Sequence, residues 1–181
     1  MSDYACSVGS NSAPWDYWRP DTRCYRCIAG KYAGWEVATG VFVVASCRCA
    51  GSDPNLKFMG NCTYRVTFKM ITDGLSKTLL IGEKHVPEGW LGAQRVRDCS
   101  AYNPDQLEVI GRFAGPNHPL ARPGDYEGYS YNLSFGSWHP GVCQFALVDG
   151  SVAAISVTID PVLLGYLSDR DDGNTSGGSA F

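Results

Sequence analysis

No stretch of the 181 residues approaches the ~18 consecutive apolar residues of a membrane-spanning helix. The opening Met1-Ser2-Asp3 has neither the basic nor the apolar region of a signal peptide. Basic charge is scarce as well: 15 Lys and Arg stand against 18 Asp and Glu, a net charge of −3, with a pI near 5.5. Without a basic face, nucleic acid and anionic membrane are poor partners. No Gly-x-Ser-x-Gly elbow, phosphate-binding glycine loop or His-Glu-x-x-His occurs, which removes the commonest signatures of serine hydrolases, nucleotide enzymes and zinc proteases. No charged or low-complexity linker divides the chain. A single globular domain is therefore expected over residues 1–168. The acidic, Gly/Ser-rich end at 169–181 is expected to be solvated and mobile, because it holds no large apolar residue before Phe181.

Helical periodicity is scarce, while 21 Gly, 10 Pro and 12% aromatic residues point to short strands joined by turns. Residues 40–45 read as a short buried strand. Residues 64–70 alternate as a strand with Arg65, Thr67 and Lys69 on a wet face. Thr72, Asp73 and Gly74 offer a capping residue before a short helical turn, after which Leu79, Leu80 and Ile81 enter another strand. Residues 92–129 show no sustained period and hold four prolines, as a long decorated loop does.

The clearest local pattern is Asp149-Gly150 between two apolar, β-rich runs. Asp-Gly is a preferred dipeptide of a two-residue type I′ turn. Such a turn sets Leu147 opposite Val152, Phe145 opposite Ala154, Gln144 opposite Ile155 and Cys143 opposite Ser156. Both faces are then largely apolar, and a hairpin covered on both sides is expected. At roughly 3.3 Å per residue, the strand holds His139 and Asp149 at opposite ends, which argues against a shared metal or an acid/base pair. The same register carries His139 toward Asp160, and Asp160-Pro161 before Val162, Leu163 and Leu164 reads as a helix cap followed by proline at the first position. A structural role is expected for His139, Asp149 and Asp160.

Eight cysteines, Cys6, Cys24, Cys27, Cys47, Cys49, Cys62, Cys99 and Cys143, are many for a reduced compartment, and the even number favours disulfides. Zinc is the competing reading, from Cys24-x-x-Cys27 and Cys47-x-Cys49. The one-residue spacing of the second pair lacks the usual knuckle, so disulfides are favoured. Haem attachment is excluded by Ile28 where a histidine is needed. Glu83 and His85, with His118 or Asp98, could make a metal or catalytic set. The plainer reading has Glu83 satisfying backbone donors of a neighbouring loop and His85 at a loop edge. Asp169, Asp171, Asp172 and Asn174 are oxygen-rich enough to suggest calcium, but their order does not fit an EF-hand and no liganding Glu follows. No other cofactor is indicated.

Among the aromatic residues, the cluster Trp15, Tyr17 and Trp18 is the one most suited to a recognition surface, stacking on a glycan or a protein partner. A secreted carbohydrate-binding module is one alternative that follows. A metal-binding domain or metal-dependent enzyme is another, and it requires at least two of His85, His118 and His139 to converge with acidic residues.

Three motifs resemble a known family. His139, nine residues, then Asp149-Gly150 is similar to the H-X9-DG element of the DUF1559 family, planctomycete-type proteins with prepilin-like N-termini. Residues 71–85, containing Asp73-Gly74, Ser76, Thr78 and Gly82-Glu83-Lys84, resemble the family's I-x-DG-x-S-x-T-xxx-GE-K segment, and Phe135-Gly136-Ser137-Trp138 leads into His139 as the family pattern does. Residues 2–11 resemble its DYAxNxGxN stretch. The family's cleavage signal, hydrophobic helix and first half of the globular region have no counterpart in these residues, so filament formation is not carried over. The resemblance implies a mainly β, α+β fold: an antiparallel sheet with a central DG hairpin, short helices and long loops, as in a pseudopilin-like head. It further implies a non-enzymatic exported protein, extracellular, on the cell surface or periplasmic. Its expected partners are other pilin-like subunits, cell-surface components or glycans.

Overall fold

The computed structural model describes residues 3–10, 39–42, 66–90, 111–125 and 133–174. Five strands, β1 (Tyr4–Ser7), β2 (Leu79–Glu83), β3 (Gly111–Arg112), β4 (Val142–Leu147) and β5 (Val152–Ser156), form one sheet in the order β3-β1-β2-β4-β5. One α-helix among the described residues, α1 (Pro161–Ser168), follows β5. The fold is mainly β with an α+β character, as expected. The sheet is mixed, because β1 runs parallel to β3 while the other neighbours are antiparallel.

Alternation along β4 turns Cys143, Phe145 and Leu147 into the core. They join Ala5, Leu79, Ile155, Leu164 and Leu167, so α1 covers the same face of the sheet. Each large side chain buried there contributes about 1.5–3 kcal/mol by leaving water. An eight-residue helix is too short to persist on propensity alone and depends on this packing. Its start is set locally: Asp160 Oδ1 accepts from Val162 N at 2.9 Å, and Pro161 has its φ pre-set for the first turn. Gly82 faces Phe145 across β2 and β4, where the Phe145 and Phe135 rings meet edge to face at 5.0 Å. A Cβ on Gly82 would overlap the Phe145 ring and lie 2.7 Å from Phe135 Cδ1, so only glycine lets the aromatic pair cross the strand.

The DG hairpin forms one residue out of the expected register. Gly150 N donates to Leu147 O at 3.0 Å and Leu147 N to Ser151 O at 2.8 Å, which closes a three-residue loop of Val148, Asp149 and Gly150. Gly150, at φ +88°, supplies the left-handed residue that such loops place last. Ala146 therefore faces Val152, Phe145 faces Ala153 and Cys143 faces Ile155. A one-residue slip exchanges the faces of a strand. Ile155 becomes core while Val152 is 71% exposed, and among the described residues β5 is an edge strand rather than one covered on both sides.

Three other expectations change. Of residues 64–70, those after Arg65 are described, and Phe68–Met70 is a 3-10 turn with Phe68 exposed. Its local bonds, Met70 N to Thr67 O and Ile71 N to Phe68 O, satisfy the backbone without a ladder. Of residues 40–45, only 40–42 are described, as a bend in which Gly40 N bonds Val8 O and Phe42 N bonds Ser7 O. Finally, residues 169–174 are not a free end. Arg170 O accepts from Thr72 N and Asp73 N, Arg170 N donates to Thr39 O, and its guanidinium reaches Gly40 O at 2.8 Å. Residues 175–181 of the expected tail lie outside the described set, as do 92–110 and 126–129 of the expected long loop.

Candidate functional site

Glu83 stands where β2 and β4 part. Backbone pairing runs through Gly82 and Phe145; one position on, Gln144 N donates to Glu83 Oε2 at 2.7 Å, and Glu83 Oε1 lies 3.0 Å from His139 Nε2. The carboxylate thus satisfies the strand amide that the diverging backbone no longer serves, and the imidazole holds the carboxylate in place. His139 does not approach Asp160 by extension of the hairpin. Gly141, at φ +75°, turns the chain just before β4 and sends His139 to the β2 side. Two further bonds tie down the same corner: Gly136 N donates to Glu83 O at 3.0 Å, and Trp138 Nε1 to Val86 O at 3.0 Å. Trp138 remains 44% exposed.

At the other end of β4 the two DG turns meet. Asp149 N donates to Leu75 O at 3.1 Å and Val148 N to Thr78 O at 3.0 Å. The Asp149 carboxylate accepts from both Ser151 N and Ser151 Oγ, which holds it below the usual carboxylate range. In the Asp73-Gly74 turn, Lys77 N and Thr78 Oγ1 bond Gly74 O. The Asp73 carboxylate leaves that turn and takes Asp172 N at 2.8 Å and Gly173 N at 3.0 Å. Burial pushes this carboxyl up, the two backbone donors pull it down, and the charge of Asp172 pushes it up again. Asp169 does the same for the N-terminal segment: its two oxygens accept from Ser10 N at 2.7 Å and Ser10 Oγ at 2.6 Å.

The oxygens suggested for calcium are thus turned largely to donors of the chain itself: Asp169 to Ser10, and Asp172 Oδ1 to Asn174 N. The three histidines do not converge. His85 Nε2–H donates to Asp125 O at 3.0 Å, His118 stacks on Phe113 at 5.1 Å, and His139 meets Glu83. Among the described residues no group of three or more His, Cys, Asp or Glu is placed to hold a metal ion. Cys6 and Cys143 are free thiols, not members of a disulfide. Burial pushes the Cys143 thiol far up, with the Glu83 charge adding to it, and burial also raises Cys6. Neither supplies a thiolate at neutral pH. Cys24, Cys27, Cys47, Cys49, Cys62 and Cys99, and the cluster Trp15, Tyr17 and Trp18, lie outside the described residues.

Sequence reasoning missed the Glu83–His139 pair and the docking of residues 169–174. The first joins two motifs 56 residues apart by number, and the Ser10 to Asp169 contact spans 159. Nothing local signals either one.

The fold and these contacts define a mainly β domain whose motif residues are spent on fastening its own backbone. Residues 15–162 match the model of a family described as proteins of unknown function, DUF1559, and the chain belongs to that family. No curated protein and no solved structure matches the chain. No helix among the described residues is long and apolar enough to cross a membrane.

Proposed function

We propose that the chain is a non-enzymatic, exported globular domain of a pilin-like or pseudopilin-like surface protein, acting in structural assembly or surface recognition. The observation that supports this reading is the use to which the polar motif residues are put. Glu83, Asp73, Asp149 and Asp160 each accept from backbone amides of this chain, and His139 closes on Glu83. A catalytic carboxylate has to face a substrate; these face strand ends and turns. Cell-surface components, like subunits or glycans are the partners that fit such a role.

Export carries a covalent consequence. With Cys6 and Cys143 free, six of the eight cysteines remain, an even number available for three disulfides in an oxidising compartment. The test is intact mass after alkylation of the denatured native protein, with and without reductant, together with metal analysis. Two alkylations without reductant and eight with it are expected, with no bound zinc. Eight alkylations without reductant, or thiols freed only by a chelator, would overturn the exported reading.

A further inference from the structure

Among the described residues the sheet stops at β5, and the edge is bare. Leu147 N bonds Ser151 O and Val157 N bonds Gly141 O. Antiparallel pairing alternates, so residues 151, 153, 155 and 157 turn their backbone groups toward β4 while Val152, Ala154 and Ser156 turn theirs away. Ser156 O is taken by Ile159 N at 3.0 Å. The N–H groups of all three residues and the carbonyls of Val152 and Ala154 line the outer edge. The side chains beside them are small and exposed. The devices that usually protect an edge are lacking: β5 has no lysine, no proline and no bulge against β4, and no charged residue occurs from 151 to 159.

Charge appears only at the two ends, as exposed Asp149 and exposed Asp160. Antiparallel pairing of two copies about Ala154 would draw Asp149 of one toward Asp160 of the other, and like charges across a strand pair oppose that arrangement. A strand with a basic residue at each end meets opposite charge instead.

We propose that the outer edge of β5 receives an extended peptide strand of a partner protein, apolar or small at alternating positions and basic at both ends. Main-chain bonds to Val152, Ala154 and Ser156 supply affinity, while Asp149 and Asp160 select the ends. This goes beyond the reading above and does not depend on export, since it uses the edge alone.

The test uses the whole chain and two capped heptapeptides, Lys-Val-Thr-Val-Thr-Val-Lys and its glutamate-ended counterpart, followed by titration and by amide hydrogen exchange. Expected are binding of the lysine-ended peptide and new protection confined to the amides of Val152, Ala154 and Ser156. Affinity for the glutamate-ended peptide should be lower by roughly tenfold at low salt, the gap narrowing as salt is added. Ala154→Pro, which removes an outward N–H without touching a bond to β4, should weaken binding by about fivefold or more. Equal binding of the two peptides, or none at about millimolar concentration, overturns the proposal. So does protection of those three amides before any peptide is added, whether by a second copy or by another part of the chain.

Discussion

At the residue scale, the two partners at the β2–β4 junction are unequal. Glu83 is 13% exposed and is the acceptor for a strand amide; His139 is 55% exposed and holds only the carboxylate. Glu83→Ala leaves Gln144 N unpaired and is expected to cost about 1–3 kcal/mol. His139→Ala removes a half-exposed pair and is expected to cost no more than about 1 kcal/mol. Urea denaturation of both variants measures the difference, and a larger loss for His139→Ala would contradict this division of roles. His85 controls a pH response. Burial lowers its pKa below the ordinary 6.5, while the Asp125 carbonyl and the Arg112 charge act in opposite directions on it. The unfolded chain then binds more protons than the folded one just below that value. The stability contributed by neutral His85 is complete above pH 6.5 and is lost as pH falls through the lowered folded value. Thermal midpoints measured across this range should fall on acidification, and His85→Gln should flatten the slope.

Among the elements, those whose signals are local were legible: the helix announced by Asp160-Pro161, β2 after the Asp73-Gly74 turn, and the existence of the DG hairpin. What the hairpin sequence left open was the loop length. Asp-Gly serves two-residue and three-residue loops alike, and that one residue decides whether Ile155 or Val152 lies in the core. Within the strand expected over 64–70, the described residues 66–70 are not a strand for a related reason, since alternation records a half-wet surface but not a pairing partner. Two glycines make the geometry testable. Gly82→Ala pushes a methyl into Phe145 and Phe135 and is expected to cost about 1–3 kcal/mol and to alter the near-ultraviolet circular dichroism of the aromatic pair. Gly150→Ala meets open space but a left-handed backbone, so about 1–2 kcal/mol is expected with that signal unchanged.

Across the whole molecule, the contacts that finish the structure join segments far apart in sequence. Residues 169–174 touch the N-terminal segment through Ser10, the bend at Thr39 and Gly40, and the turn at Thr72 and Asp73. Composition described this stretch correctly as acidic and polar. It could not show that its carboxylates and amides find buried partners, because that depends on where distant turns present their own groups. Asp73→Ala deprives Asp172 N and Gly173 N of their acceptor. Faster hydrogen exchange at 172 and 173 and earlier proteolysis near the C-terminus are expected, with the β4 and β5 amides unaffected.

That strap also sets a clock on synthesis. Strand β1 is made early, yet it waits for β2, then β3, and finally for Asp169 to seize Ser10 across 159 residues. Long-range closure of this kind is slow, because the entropy of the loop is lost before the contact repays it. During synthesis that last fastening can close only after residue 169 has emerged, so the segment around Ser10 stays open to rearrangement while every strand of the sheet is already made.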